Sequence, residues 1–452
     1  MNLDKLFHAY DIRGIYPKPL NKEFAYKLGK ALVVFLKKQF SGKISVIVGR
    51  DGRFSSLPLY KSFSKGIIKQ GANLINIGQV ASDSLYFALN HLKKQAGVMI
   101  TGSHNPKDYN GFKIVLKGPW YLSGESGLPE LKEIIKKDQF PKNSKKGDIK
   151  GYNIISEYKN HILSLFNIDD IKKKNIVVDA ANGVAYKAIK KIALDIPVNL
   201  DCIYCNLDDD FSHHSPDPIK FKNIKDLCKR VKTNQADFGL AFDGDGDRTV
   251  FVDEKGNPIK PDIILALFSK YFLKKEPGAS IVYNITCSKI VPEIIKKNGG
   301  KPIENRTGST FMKMVSKKEG AILGGEISAH FCYKDNYFSE SGMLTLLVML
   351  DILSKTDKSL SQLIKPFKKY YRTNENNFRV KDRQKIIRYI ADHYKDYKKN
   401  WLDGLTIKSK NWWFNARPSN TEPLLRVVVE ADKKSIAQKR LKEIKNIIKS
   451  KT

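Results

Sequence analysis

The densest chemistry in the chain lies in Asp243-Gly244-Asp245-Gly246-Asp247-Arg248, three carboxylates at alternate positions with glycine between them. Two like charges about 4 Å apart repel by about 4 kcal/mol at an effective dielectric near 20, so three on one tight loop call for a cation. An all-oxygen set selects a hard ion, Mg²⁺ or Ca²⁺. The glycines let the backbone fold until the side chains converge. The carboxylates also fit the first, third and fifth positions of a calcium loop with Glu254 as its last ligand, but Arg248 stands where that loop turns on glycine. The flanks, residues 236–242 and 249–252, read as apolar strands and not as a helix pair.

Thr101-Gly102-Ser103-His104-Asn105-Pro106 follows the apolar run 96–100. A serine at a strand end, beside glycine and a turn-forming Asn-Pro, is exposed for nucleophilic work. Acyl transfer would need His104 as base, but adjacent side chains are expected to point apart, and the glycine-flanked elbow of hydrolases is missing. Beside an acidic metal loop, a serine carrying phosphate would supply the oxygen that completes the cation's shell. Arg417-Pro418-Ser419-Asn420-Thr421-Glu422-Pro423 offers a guanidinium fork, two hydroxyls, an amide and turn N–H groups, a phosphate cradle by composition or else an ordinary turn. Gly324-Gly325-Glu326-Ile327-Ser328-Ala329-His330 sets a carboxylate and a hydroxyl two residues apart, suited to neighbouring sugar hydroxyls.

These loops need rigid elements to bring them together. A strand, a Gly- or Asn-bearing turn and a helix recur three times: residues 44–48 into 57–70, 175–179 into 185–192, and 279–283 into 290–297. Apolar strands feeding helices predict largely parallel sheets in related α/β domains. A polar stretch, 136–151, reads as the first linker, and the turn 253–258 marks the second. Beyond Lys365-Pro366 the aromatic run at Trp412 and the β-branched run 424–429 predict an α+β tail domain. The expected architecture is three tandem α/β domains with mixed, largely parallel sheets (1–151, 152–257 and 258–368), then an α+β domain (369–452), around a central cleft.

A hydrophobic share of 41% supports packed cores, and 452 residues are too many for one. The net charge of +33 raises nucleic acid as a partner. Its lysines are scattered in runs such as Lys172-Lys173-Lys174, without the basic–aromatic stripe that single strands require, so they read as solvated faces. Five cysteines describe no disulfide framework, and Cys202-Ile-Tyr-Cys205 lacks the second pair of a zinc site. The longest apolar run, 343–353, is too short for a bilayer and is broken by Asp351. With no apolar signal core at the N-terminus, a reduced, cytoplasmic protein binding neither membrane nor nucleic acid is expected, a monomer or weak dimer.

Taken along the chain, the serine loop, the acidic loop, the Glu-x-Ser loop and the Arg417 loop, one per domain, resemble in type and order those of the α-D-phosphohexomutase family, in particular its phosphomannomutase/phosphoglucomutase branch. The segments Tyr10-Asp-Ile-Arg-Gly14 and Asn110-Gly-Phe-Lys-Ile-Val115 resemble it too, and the likeness runs from about Phe7 to Val429. The resemblance implies a phosphoserine at Ser103, and Mg²⁺ held by Asp243, Asp245, Asp247 and the serine phosphate. Arg13, His104, Lys113 and Arg248 would surround the phosphoryl group. Glu326 and Ser328 would take the sugar hydroxyls, with Tyr10 and His330 close by, and Arg417, Ser419, Asn420 and Thr421 the substrate's phosphate. It further implies an isomerase for hexose 1- and 6-phosphates, mannose or glucose, with a hexose 1,6-bisphosphate as intermediate and activator. A glucosamine-phosphate mutase and a sugar-phosphate phosphatase are the alternatives on that scaffold. Two departures stand on the substrate side: Thr286 where the branch often has Lys, and Ser309 where it usually has His. Lys289, Arg306 or Lys313 is expected to restore the missing charge.

Overall fold

Each strand–turn–helix unit read from the sequence forms the parallel centre of its own sheet. In the computed structural model, which describes residues 3–118, 120–143, 145–419 and 423–451, Ser45–Arg50 pairs in parallel with Asn73–Gln79 and Ala96–Ile100. Tyr109–Leu116 and Ile12–Ile15 extend that sheet antiparallel. Its far edge is Ile149–Gly151, which pairs in parallel with Asn73–Gln79. The stretch read as a linker therefore ends as a strand, an exposed edge with no apolar alternation to announce it.

The second sheet runs Thr249–Asp253, Phe238–Phe242, Lys174–Asp179, Val198–Ile203, parallel except for its first strand. The third joins Lys301–Asn305, Ser280–Asn284 and Leu323–Gly325 in parallel, then Phe331–Tyr333 and Ser339–Glu340 antiparallel. In the tail, Leu405–Lys408, Trp412–Pro418 and Leu424–Ala431 form an antiparallel sheet under the helices Arg383–His393 and Lys434–Lys451. Antiparallel neighbours need only short turns, so this part reads as strands in series and not as crossovers.

One buried cluster runs without a break from Leu85 and Phe87 through Tyr158 and Ile189 to Leu265 and Met343, so the first three sheets share a core. The tail keeps its own around Ile390, Phe414, Val427 and Ile444. The apolar run 343–353 is the helix Gly342–Ser354, buried along its whole length and capped where Ser341 accepts from the Leu344 N–H at 3.0 Å. No helix of the described residues is long and apolar enough to cross a membrane. Cys202 and Cys205, read as thiols, are instead bonded to each other. The left-handed turn at Tyr204 (φ 53°) folds the chain back between them and brings their Cα atoms to 5.8 Å, within disulfide reach.

Candidate active site

The metal loop is folded onto itself by its first carboxylate. Asp243 Oδ1 accepts from the N–H groups of Asp247 and Arg248 at 3.1 and 3.2 Å, and Gly246 turns the chain at φ 74°. All three aspartates are buried, and their carboxylate oxygens converge within 4.8 Å. Asp245 Oδ2 accepts from Ser82 Oγ at 2.7 Å and Lys113 Nζ at 2.6 Å, and Lys113 also reaches Asp247 at 2.5 Å. Asp245 Oδ1 is buried with no hydrogen-bond partner among the described residues. A converging oxygen set with an unsatisfied buried carboxylate oxygen suits a hard divalent cation.

Ser103 comes to this loop from another domain. Its Oγ donates to Asp243 Oδ2 at 2.9 Å, and its carbonyl lies so close that a Cβ on Gly244 would meet it at 2.7 Å. Glycine is needed there for that approach. Against expectation, Ser103 and His104 do not point apart: Oγ and Nδ1 are 3.4 Å apart. Ser103 adopts φ 50°, which swings neighbouring side chains to one side.

Charge is sharply sorted. Burial, with Asp245 and Asp247 beside it, pushes the Asp243 carboxyl well above the ordinary range. Burial opposes the charge of Asp247 too, but Lys113 and His330 hold its carboxyl well below that range. Burial and the nearby Arg248 and Arg13 push His104 well down, so its imidazole is neutral. His330 resists its burial because Asp247 and Glu326 flank it, and rises to about 9.

The Glu326–His330 loop is tied to the acidic loop through that histidine. His330 lies 3.3 Å from both Asp247 Oδ1 and Glu326 Oε2. Ser328 Oγ donates to Glu326 Oε2 at 2.9 Å, so the two groups do share a face. The other oxygen of Glu326 accepts from the Gly308 N–H at 2.7 Å. Tyr10 reaches across from the first domain, its hydroxyl donating to the Thr307 carbonyl at 3.0 Å. Arg13 donates to Asn105 Oδ1 at 2.5 Å and is paired with Asp11. Arg248 lies 3.9 Å from both Asp217 and Asp243.

In the tail, Arg417 donates to Glu375 at 3.0 Å, and Arg426 grips the same carboxylate at 3.2 Å. The Ser419 carbonyl accepts from Arg383 at 3.1 Å. Asn420 and Thr421 lie outside the described residues.

The cations expected to replace the missing Lys and His are all committed elsewhere. Lys289 pairs with Asp432 at 2.6 Å, and Arg306 grips both oxygens of Glu125. Lys313 is buried, 2.8 Å from both oxygens of Glu340, between the rings of Tyr86 and Tyr121. Each follows a carboxylate that sequence distance hides. Lys313→Met would strand Glu340 as an unpaired buried charge and is expected to destabilise the fold by about 3–5 kcal/mol. Urea unfolding checks this, and a loss under about 1 kcal/mol would count against the pair.

Sequence reasoning missed Asp51 and Arg53, which hold the serine loop from behind, and Glu375. The signal for the first two was a charged turn, Gly49-Arg50-Asp51-Gly52, closing a buried strand. Glu375 has no local signal, since its partners lie 42 and 51 residues away.

Four family descriptions match the chain in order. They are Phosphoglucomutase/phosphomannomutase alpha/beta/alpha domains I (residues 4–142), II (156–256) and III (260–370), and the C-terminal domain (375–447). The chain is 42% identical to a phosphomannomutase of Methanocaldococcus jannaschii, over 98% of this chain and 97% of that one. It is 36% identical to a phosphomannomutase/phosphoglucomutase of Pseudomonas aeruginosa, over 98% and 95%. A crystal structure of a phosphoglucomutase/phosphomannomutase family protein from Burkholderia thailandensis superposes with a TM-score of 0.92 at 30% identity, covering 100% and 98% of the two chains.

Proposed function

Since the chain belongs to the phosphoglucomutase/phosphomannomutase family, we propose that Ser103 is the phosphoryl carrier through which it interconverts hexose 1- and 6-phosphates. It is a phosphohexomutase, an isomerase for mannose or glucose phosphates working through a phosphoserine and a 1,6-bisphosphate. The observation that supports Ser103 most directly is its hydroxyl, 2.9 Å from Asp243 and facing three converging carboxylates.

In the first half-reaction the P–O bond to Ser103 Oγ breaks while one forms to the sugar's free hydroxyl, whose proton is released. The bisphosphate turns round, and Ser103 Oγ takes the other phosphoryl group. Asp243, Asp245 and Asp247 would hold Mg²⁺, which when bound neutralises the charge spread over the phosphoryl oxygens. Lys113 spans Asp245 and Asp247, holding the loop's shape as well as lending charge. Neutral His104, 3.4 Å from Oγ, is the group suited to exchange a proton there. Glu326 and Ser328 bind neighbouring sugar hydroxyls, and charged His330 keeps their loop in register with Asp247.

Arg417 and Ser419, with Asn420 and Thr421, grip the phosphate that is not in flight. A cradle on the tail's separate core can serve both orientations of the intermediate. Charge-assisted hydrogen bonds are worth about 1.5–3 kcal/mol, so Arg417→Ala is expected to raise KM about ten- to hundredfold on both sugars, with a smaller change in kcat. Steady-state kinetics with glucose 1-phosphate and mannose 1-phosphate test this cradle and the activity together. No turnover of either sugar by the wild-type protein with Mg²⁺ and a bisphosphate activator would overturn the reading.

A further inference from the structure

Among the described residues Arg53 touches none of the loops' functional side chains, yet the serine loop is wrapped around it. Its side chain is fully buried, and each of its five N–H groups is used. Nε donates to Asp51 Oδ2 at 3.1 Å. Nη1 donates to the carbonyls of Pro106 (2.6 Å) and Tyr109 (3.1 Å), and Nη2 to those of Ser103 and Asn105 (both 2.7 Å). Four carbonyls of one short loop thus converge on a single cation. Asp51 completes the clamp, accepting from Thr101 Oγ1 at 2.8 Å and from the Gly102 N–H at 3.1 Å. Gly102 has no alternative residue: a Cβ there would lie 2.6 Å from the guanidinium carbon.

The clamp also reaches the second domain. The Phe211 ring lies over the guanidinium at 4.8 Å, and the same ring lines the space beside Gly244 of the metal loop. Arg53 therefore sits where the serine loop, the metal loop and the loop carrying Phe211 meet. Ser103 holds the left-handed conformation at φ 50°, which is disfavoured for a residue with a side chain. Its carbonyl, pinned by Nη2, is what keeps it there with Oγ turned to Asp243.

We propose that Arg53 is a positioning residue for phosphoryl transfer, setting the bearing of Ser103 Oγ on the metal loop through the backbone of the serine loop. This rests on Ser103 as the phosphoryl carrier. Misplacing a reacting atom by about 1 Å costs on the order of a hundredfold in rate. Arg53 should therefore act on kcat and leave the tail's phosphate cradle, and so KM, alone.

The test compares wild type with Arg53→Lys and Arg53→Gln. Lysine keeps the charge but offers three donors where five are used. For each protein kcat and KM are measured with glucose 1-phosphate and Mg²⁺, along with the thermal midpoint. The rate at which dephosphorylated protein gains phosphate on Ser103 from glucose 1,6-bisphosphate is followed by mass spectrometry. Expected for Arg53→Lys is a folded protein with KM within about threefold of wild type, and with kcat and the phosphorylation rate both about a hundredfold lower. Wild-type kcat in Arg53→Lys, a loss carried by KM, or failure of both variants to fold would overturn the proposal. If wild-type protein itself gains no phosphate on Ser103, the carrier reading fails and this one falls with it, a result distinct from the others.

Discussion

Ser103→Ala is expected to abolish turnover, with kcat lower by at least about four orders of magnitude and the fold unchanged. The Oγ is the only heavy atom removed, and its hydrogen bond to Asp243 is one of several that hold that carboxylate. Losing a covalent nucleophile removes the route itself, because among the described residues no other hydroxyl is given the same bearing on the metal loop by the clamp behind it. Ser82, the next hydroxyl at the loop, is already spent on Asp245 at 2.7 Å. A coupled assay and intact-mass analysis check it together: wild type should carry one phosphate on Ser103 and the variant none. A variant retaining a tenth of wild-type turnover would refute the carrier.

Asp245→Asn is expected to lower kcat by about 10²–10³-fold, while KM moves little. The amide matches the carboxylate in size, so the effect is one of charge. Asp245 accepts from both Ser82 and Lys113 and has its second oxygen buried and unpartnered, which makes it the carboxylate best placed to meet a cation. Removing one preorganised charge from a dry site costs about 3–4 kcal/mol in the transition state. Titration with Mg²⁺ should show half-maximal activity shifted to higher concentration in the variant, and excess EDTA should silence wild type. Full wild-type activity in EDTA would remove the metal from the reaction.

The reaction class, and the residues proposed to carry it, were legible in the residue order alone. Alternating aspartates with glycine between them, a serine at a strand end, and a Glu-x-Ser pair are local patterns, because each group's neighbours along the chain already state its problem and its solution. The strand–turn–helix units were legible for the same reason: apolar runs of the right length bounded by turn residues specify parallel strands wherever they lie. Which groups meet is set by the fold. Asp243 and Ser103 are 140 residues apart, Lys113 and Asp247 134, and no periodicity links them. The fold decided that Lys289, Arg306 and Lys313 each pair with a carboxylate far away in sequence. It decided too that Ser103 and His104 share a side, through one positive φ. Arg53 is the clearest case. Nothing local marks this arginine as a clamp: only the fold, which buries its guanidinium and turns four loop carbonyls onto its donors, makes it the centre of a loop.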